Sequence, residues 1–324
     1  MSTTLNPTSG IDLDFSAFTA QREESSRKHF EGAATDYCFS LDLKLRQRLS
    51  AIPALQLAAK AFLSFGLALQ KQIMSLRGVA VGPNQFPRIY NIAQDCAERL
   101  GIGIPQVFVL YEVQMNAYTL ATEESGDMLV LHSSLVEAMT DEELRFVIGH
   151  ECGHIHNAHC VWSTLGQILA NGALNELAKK IPGAGILLQL LSGGTSLFLN
   201  SWFRCAELTA DRAGLICCGN LDTARYALAK LATGGKSEIL KDINLDQYVK
   251  QLDTDQATPV RLWESMIDHP ITSKRVAMMR IFRECEVLYR WRPEMRGDKP
   301  GMSKDAVDFQ CEQIARVFLR KGGN

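Results

Sequence analysis

The stretch Val147–His159, VIGHECGHIHNAH, holds four of the chain's seven histidines together with Glu151 and Cys152. Imidazole, thiolate and carboxylate are the groups that ligate zinc and similar metals. Successive residues of an α-helix rotate by about 100°, so His150 and His154 lie one turn apart on one face and can reach a single ion. Glu151 lies beside that face, better placed to reach a water on the metal than the metal itself. This is the H-E-x-x-H arrangement, two zinc ligands and a carboxylate general base. His156 and His159 point about 240° and about 180° away from His150, and neither joins the same ion without leaving the helix. His159 reads as a structural residue near the helix C-terminus, where partial positive charge is favourable. Cys152, His156 and Cys160 share the opposite face, which reads as packed core rather than as a soft-metal site. Burying two adjacent imidazoles beside a carboxylate without a cation is costly, which favours the metal.

A catalytic zinc keeps three protein ligands and one open position. Glu207, in ELTAD, is the candidate third ligand. If that segment is helical, Asp211 lies one turn further on the same face. It could then accept a hydrogen bond from a ligand imidazole and fix its tautomer. In isolation, Glu207 and Asp211 read more readily as a solvated helix face.

The elements that must position these groups are legible to different degrees. Thr140 with Glu143 three residues on forms a capping box, and Asp141–Glu143 place negative charge in the first turn, where the helix dipole favours it. Leu144, Val147 and Ile148 supply an apolar face. The spacing predicts a helix from Asp141 to about Ala158. Upstream, PNQFPRIYNIAQDCAERLGI predicts another, with Pro87 at its start, a stripe of Ile89, Ile92, Ala93, Cys96 and Leu100, and Gly101 just past its end. Between the two helices, Pro105–Tyr111, Met115–Ala121 and Asp127–His132 are rich in strand formers and read as a small antiparallel meander. A short helix over Ser134–Ala138 follows.

Outside this region the pattern is helical from Leu41 to about Gln72, strongly apolar towards its end, and read as buried rather than membrane-bound. Another helix starts near Asp222, a further one lies in DHPITSKRVAMMRIFREC, and the last 30 residues read as a surface helix. Cys217 and Cys218 read as core. Between Lys180 and Arg204 lie 23 residues without a charge. The length suffices to span a bilayer, but Pro182, Gln189, Gly193, Gly194 and Asn200 dilute it. An apolar hairpin that covers the cleft or touches a membrane surface is the expectation for 181–203.

With 46% hydrophobic and 22% charged residues in 324, the chain is an ordinary globular protein. A net charge of −2 gives no basic field for nucleic acid. Nine cysteines in a chain this long do not make a secreted disulfide scaffold, and the first residues lack a signal peptide's basic and apolar regions. A cytoplasmic protein with reduced thiols is expected.

VIGHECGHIHNAH followed by FRCAELTADRAGL resembles the HtpX and CAAX-prenyl-protease family of zinc metalloendopeptidases, which are gluzincins. The family pattern is H-E-x-G-H, then E-x-x-A-D with an upstream Arg, then a late His-Pro with Arg six residues on. Here these are His150 to His154 with Gly153; Arg204, Glu207, Ala210 and Asp211; and His269, Pro270 and Arg275. Asn116-Ala117-Tyr118 is similar to the family's N-A-aromatic strand. The resemblance covers about residues 78–283. It implies that His150, His154 and Glu207 bind one Zn2+ per subunit, with Asp211 and Arg204 supporting them, and that Glu151 activates the water. It further implies that His269 stabilises the oxyanion with Arg275 supporting it, and that Asn116–Tyr118 is the edge strand on which an extended peptide lies.

The expectation is therefore an α+β, mainly α-helical, zincin-like fold with the small antiparallel sheet packed on the active-site helix. Residues 1–77 form an N-terminal lead-in and helical segment, 78–283 the metallopeptidase domain, and 284–324 a C-terminal helical extension. The expected partners are peptides or unfolded proteins, with peripheral membrane contact through 181–203 as an open question. The alternative is a latent or chaperone-like zinc protein that binds peptides with little turnover.

Overall fold

The computed structural model describes residues 30–31, 34–51, 72–120, 127–159, 194–235, 241–250, 272–298 and 300–315. In chain order the named elements are β1 (Phe30–Glu31), β2 (Ala34–Thr35), α1 (Ser40–Ser50), β3 (Val79–Ala80), α2 (Pro87–Leu100), β4 (Gln106–Leu110), β5 (Ala117–Leu120) and β6 (Met128–His132). Then come α3 (Ser133–Ala138), α4 (Asp141–His156), α5 (Gly194–Cys218), α6 (Leu221–Thr233), α7 (Leu245–Lys250), α8 (Thr272–Phe282), α9 (Glu286–Trp291) and α10 (Lys304–Ala315). Among the described residues the fold is mainly helical, as the residue pattern predicts, with a four-stranded sheet that adds β3 to the three expected strands and a separate two-stranded sheet, β1–β2.

The sheet is mixed rather than an antiparallel meander. Its order is β3-β4-β6-β5; β4 runs parallel to β6, while β5 is antiparallel to β6 and lies at an edge. Period-two alternation identifies strands but carries no information on partners. The clue was composition. MLVLH of β6 is buried at all five positions, the mark of a central strand covered on both faces, and that strand displaces β5 from the middle.

The helix termini follow the local chemistry. Pro87 opens α2, Gly101 ends it at φ 68°, and the predicted apolar stripe is buried. Thr140 caps α4: its Oγ1 accepts from Glu143 N at 3.3 Å, and Thr140 N donates to Glu143 Oε2 at 2.8 Å. Lys230 Nζ, from α6, donates to the same carboxylate oxygen at 2.6 Å.

Helices α4 and α5 cross closely because their facing residues are small. A β-carbon on Gly149 would sit 2.5 Å from Cys217 Cβ, one on Gly153 would sit 2.5 Å from Ala213 Cβ, and one on Gly214 would meet Phe146 at 2.8 Å. Carbon atoms at rest are about 3.5–4.0 Å apart. Gly153→Ala should therefore lose about 1–2 kcal/mol in urea melts, because overpacking outweighs alanine's helix-propensity advantage. A neutral or stabilised variant would show that the two helices can separate freely.

Residues near both ends of the chain join the same core. Tyr37, Phe39, Leu45 and Leu49 pack in one buried cluster with Trp202, Ile148, Phe282, Val307 and Cys311. An ion pair locks this arrangement: Arg212 Nη2 lies 2.7 Å from Asp308 Oδ1, and its guanidinium sits between the rings of Phe39 and Phe282. Asp308 Oδ2 accepts from Lys304 Nζ at 2.6 Å, from Ser40 N at 3.1 Å and from Ser40 Oγ. Burial raises the Asp308 pKa, but Arg212 and Lys304 outweigh it and hold it below the usual carboxylate range. The pair's stabilisation is thus complete above the unfolded pKa of about 3.9 and fades as pH falls through the lower folded value. Asp308→Asn should cost about 3 kcal/mol at neutral pH, with the gap to wild type closing in acid. Denaturant midpoints measured from pH 7 down to pH 3 check both parts.

Candidate metal centre

The close crossing sets the centre's dimensions. His150 and His154 project from α4, and Glu207 and Asp211 from α5, one turn apart on each helix as the spacing requires. His150 Nε2 and His154 Nε2 lie 3.2 Å apart. Glu207 Oε2 is 3.5 Å from the first and Oε1 is 3.3 Å from the second. Among the described residues, these three form a group whose ligand atoms lie within 4.8 Å of one another and could hold a metal ion. All three are buried.

The atoms behind the ligands define their protonation. Asp211 Oδ1 faces His150 Nδ1 at 3.0 Å. Arg275 forks onto Asp211, Nε to Oδ2 at 2.8 Å and Nη2 to Oδ1 at 2.6 Å, and its Nη1 stands 3.2 Å from Glu207 Oε2. Burial opposes ionisation of Asp211, yet the Arg275 charge outweighs it and holds the carboxyl below its ordinary pKa. Burial likewise opposes the Arg275 cation, which Asp211, Glu207 and Glu151 together favour. An ionised Asp211 only accepts, so His150 carries its proton on Nδ1 and turns the Nε2 lone pair towards His154 and Glu207.

His154 is held differently, through a residue assigned only a structural role by the sequence. The chain leaves α4 at Asn157, and Ala158 takes the left-handed conformation at φ 55°. That turn brings His159 back against the site. His159 Nδ1 lies 3.0 Å from His154 Nδ1, and its Nε2 lies 3.0 Å from Asp42 Oδ2. Burial pushes the His159 pKa below its ordinary value, against the pull of Asp42. An ionised Asp42 only accepts, so His159 carries a proton on the Nε2 that faces it, and the Nδ1 contact with His154 is left for His159 to accept. His154 Nε2 is then also a lone pair aimed into the centre. Two imidazole lone pairs and a carboxylate converging within 4.8 Å repel one another unless a cation lies among them. The donor set fits a divalent metal of the zinc type.

The other predicted residues fall out as follows. His156 faces away, its Nδ1 hydrogen-bonded to the Tyr37 hydroxyl at 2.9 Å, and Cys152 is buried in the core. All eight cysteines of the described residues are unbridged and buried. Glu151 is buried beside His150 and outside the ligand group, as helix geometry requires. Arg204 is buried on α5 and donates to Ser201 Oγ at 3.2 Å. Arg275 supports Asp211 and Glu207; its expected partner His269 lies outside the described residues. Asn116 O accepts from His132 N at 3.0 Å, and Ala117–Leu120 form edge strand β5, which packs on α4. Residues 181–193 lie outside the described residues, whereas Leu199 and Trp202 are buried in the fold. Among the described residues, no helix is long and apolar enough to cross a membrane. Sequence reasoning missed Asp42. A lone aspartate in a helical pattern carries no signal of its own.

Known proteins resemble this chain in sequence. Residues 83–281 match the family model for peptidase family M48. The chain is 32% identical over 250 residues to the plastoglobule-localized metallopeptidase 48 of Arabidopsis thaliana, covering 74% of this chain and 69% of that protein. It is 25% identical over 185 residues to a protease HtpX homolog of Ralstonia nicotianae, covering 52% of this chain and 64% of that one. The crystal structure of S. mikatae Ste24p aligns with a TM-score of 0.42 at 19% identity, covering 71% of this chain and 63% of that chain. On the family match, which takes in both the histidine helix and the Glu207 helix, the chain belongs to peptidase family M48, a family of metallopeptidases.

Proposed function

We propose that this chain is a zinc-dependent metalloendopeptidase that cleaves extended or unfolded polypeptides, with one Zn2+ held by His150, His154 and Glu207. The observation that carries this reading is the convergence of three buried ligand atoms on one point, each with its outer atoms already engaged. When bound, the zinc supplies a Lewis acid and a water of lowered pKa.

The chain's own residues do the remaining work. The Glu151 carboxylate takes the proton of the attacking water and returns it to the leaving amine. On α4, one residue after a ligand, it would stand beside a bound ion without competing for it. Arg275 holds Glu207 and Asp211 in place and balances their charge. His269 is assigned to the developing oxyanion on the family resemblance. Among the described residues β5 is an edge strand, and a sheet edge is where an extended substrate would pair through its backbone. Asn116, Ala117 and Tyr118 line it. Unfolded chain supplies such a strand more readily than a folded domain does. The unbridged, buried cysteines favour a reducing compartment such as the cytoplasm.

Glu151→Gln should keep its zinc and lose about 10³-fold in casein hydrolysis. Mass spectrometry of products from wild-type and variant enzyme reads activity and cleavage preference together. Wild-type rates in the variant would overturn the mechanism, and so would full activity after complete chelation. Arg275→Met leaves two buried carboxylates without their counter-charge, and zinc affinity measured against a chelator should fall about 10-fold or more.

A further inference from the structure

We propose that Asp42 is a positioning residue for the metal centre, acting on the ligand His154 through His159. The inference rests on the zinc reading above and extends it to a helix outside the family-matched segment 83–281.

Asp42 is fully buried, an expensive place for a carboxylate unless donors surround it. It has them. Trp202 Nε1 donates to Oδ1 at 2.8 Å, while Thr209 Oγ1 and His159 Nε2 donate to Oδ2 at 2.7 and 3.0 Å. Trp202 and Thr209 belong to α5, the helix of Glu207 and Asp211. Thr209 also accepts from Phe39 N at 3.1 Å, pinning the start of α1. His159 is equally buried and stacks edge-on against Trp202 at 5.7 Å.

The path from Asp42 to the centre is therefore a chain of hydrogen bonds between buried groups. The Asp42 carboxylate accepts from His159 Nε2–H. His159 Nδ1 accepts from His154 Nδ1–H. His154 Nε2 remains a lone pair. Each bond sets the direction of the next, and the negative charge at the far end strengthens the donor power of His154 behind the metal. His150 receives the same service directly from Asp211, but Arg275 balances that charge. The two ligands are thus supported unequally: His150 by a neutralised carboxylate in contact, His154 by a carboxylate one imidazole removed.

A merely structural Asp42 would tie α1 to α5 and leave the metal alone. The two roles separate in zinc affinity measured on folded, full-length protein against a chromogenic chelator. Asp42→Asn loses the charge and can offer its one oxygen to only one side. His159→Phe keeps the packing on Trp202 and removes the relay. Each should raise the zinc dissociation constant about 10- to 100-fold. The double variant should bind no more weakly than His159→Phe alone, because the route from Asp42 to the ligand runs through His159. The cobalt-substituted proteins should show the same order in their visible absorption. Lys230→Met, which breaks a buried pair at the opposite end of α4, should lower stability and leave zinc affinity within about twofold.

Wild-type affinity in Asp42→Asn, or losses that multiply in the double variant, would overturn the proposal. If Asp42→Asn does not fold, His159→Phe decides: wild-type affinity there overturns the relay. Wild-type protein that binds no zinc would sink the proposed function itself, whereas zinc bound equally by wild type and both variants would sink only this inference.

Discussion

The crossing of α4 and α5 is the constraint on which the site depends. Two helices carrying ordinary side chains pack with axes about 8–10 Å apart. Here Gly149 and Gly153 on α4 face Ala210, Ala213 and Cys217, Gly214 on α5 faces Phe146, and none of the three glycines has room for a β-carbon. The approach lets one carboxylate on α5 lie within 3.5 Å of both imidazole nitrogens on α4. A separation larger by a methyl group would leave the two-histidine face without its third ligand. Gly153 inside the histidine motif is therefore a packing residue first: Ala213 Cβ occupies the space its own β-carbon would need.

Bringing three ligands together in a buried place creates an electrostatic problem that the second layer of residues answers. Besides Glu151, the carboxylates of Glu207, Asp211 and Asp42 lie in or behind the centre with little or no contact with water. Arg275 answers Glu207 and Asp211 with three close contacts. Asp42 is answered by hydrogen-bond donors and, at longer range, by Arg46, which also donates to Asn157 O at the end of α4. Burial alone would raise the Asp42 pKa; His159, Arg46 and Thr209 reverse the shift and keep it ionised. A divalent cation bound there would meet buried anions and lone pairs already held by their neighbours.

Of the candidate ligands, the histidine pair was legible through helix periodicity, whereas only the family resemblance raised Glu207 above a solvated helix face. His150 and His154 had to share a face, and Glu207 and Asp211 had to share another. The capping box at Thr140 and Glu143 and the stripe of α2 were legible for the same reason, since caps and stripes are local. Strand partnership was not local, so β5 was placed between β4 and β6 when the more apolar β6 takes that position. His159 shows the limit of periodicity most clearly. Continued helix would carry it to the far side of α4, and a single left-handed residue, Ala158, returns it to His154.

That turn also explains why the N-terminal helix belongs with the centre. The end of α4 lacks the next helical turn, so its last groups need partners from elsewhere. Asn157 Nδ2 donates to Gly153 O at 2.9 Å and to the Tyr37 hydroxyl at 3.1 Å, while Thr35 Oγ1 donates to Asn157 Oδ1 at 2.7 Å. Residues 35–46 thus finish the helix on which both histidines sit. Arg212 carries the same stretch outward, donating to Tyr37 O and pairing with Asp308 on α10. The candidate metal-binding face of α4 is consequently held from three sides: by α5 across the glycine crossing, by Asp42 through His159, and by α10 through Arg212, Ser40 and the residues around Tyr37. A helix fixed on all three cannot rotate its histidines out of register without breaking a buried ion pair or emptying a buried hydrogen bond, each of which costs more than a surface contact can return.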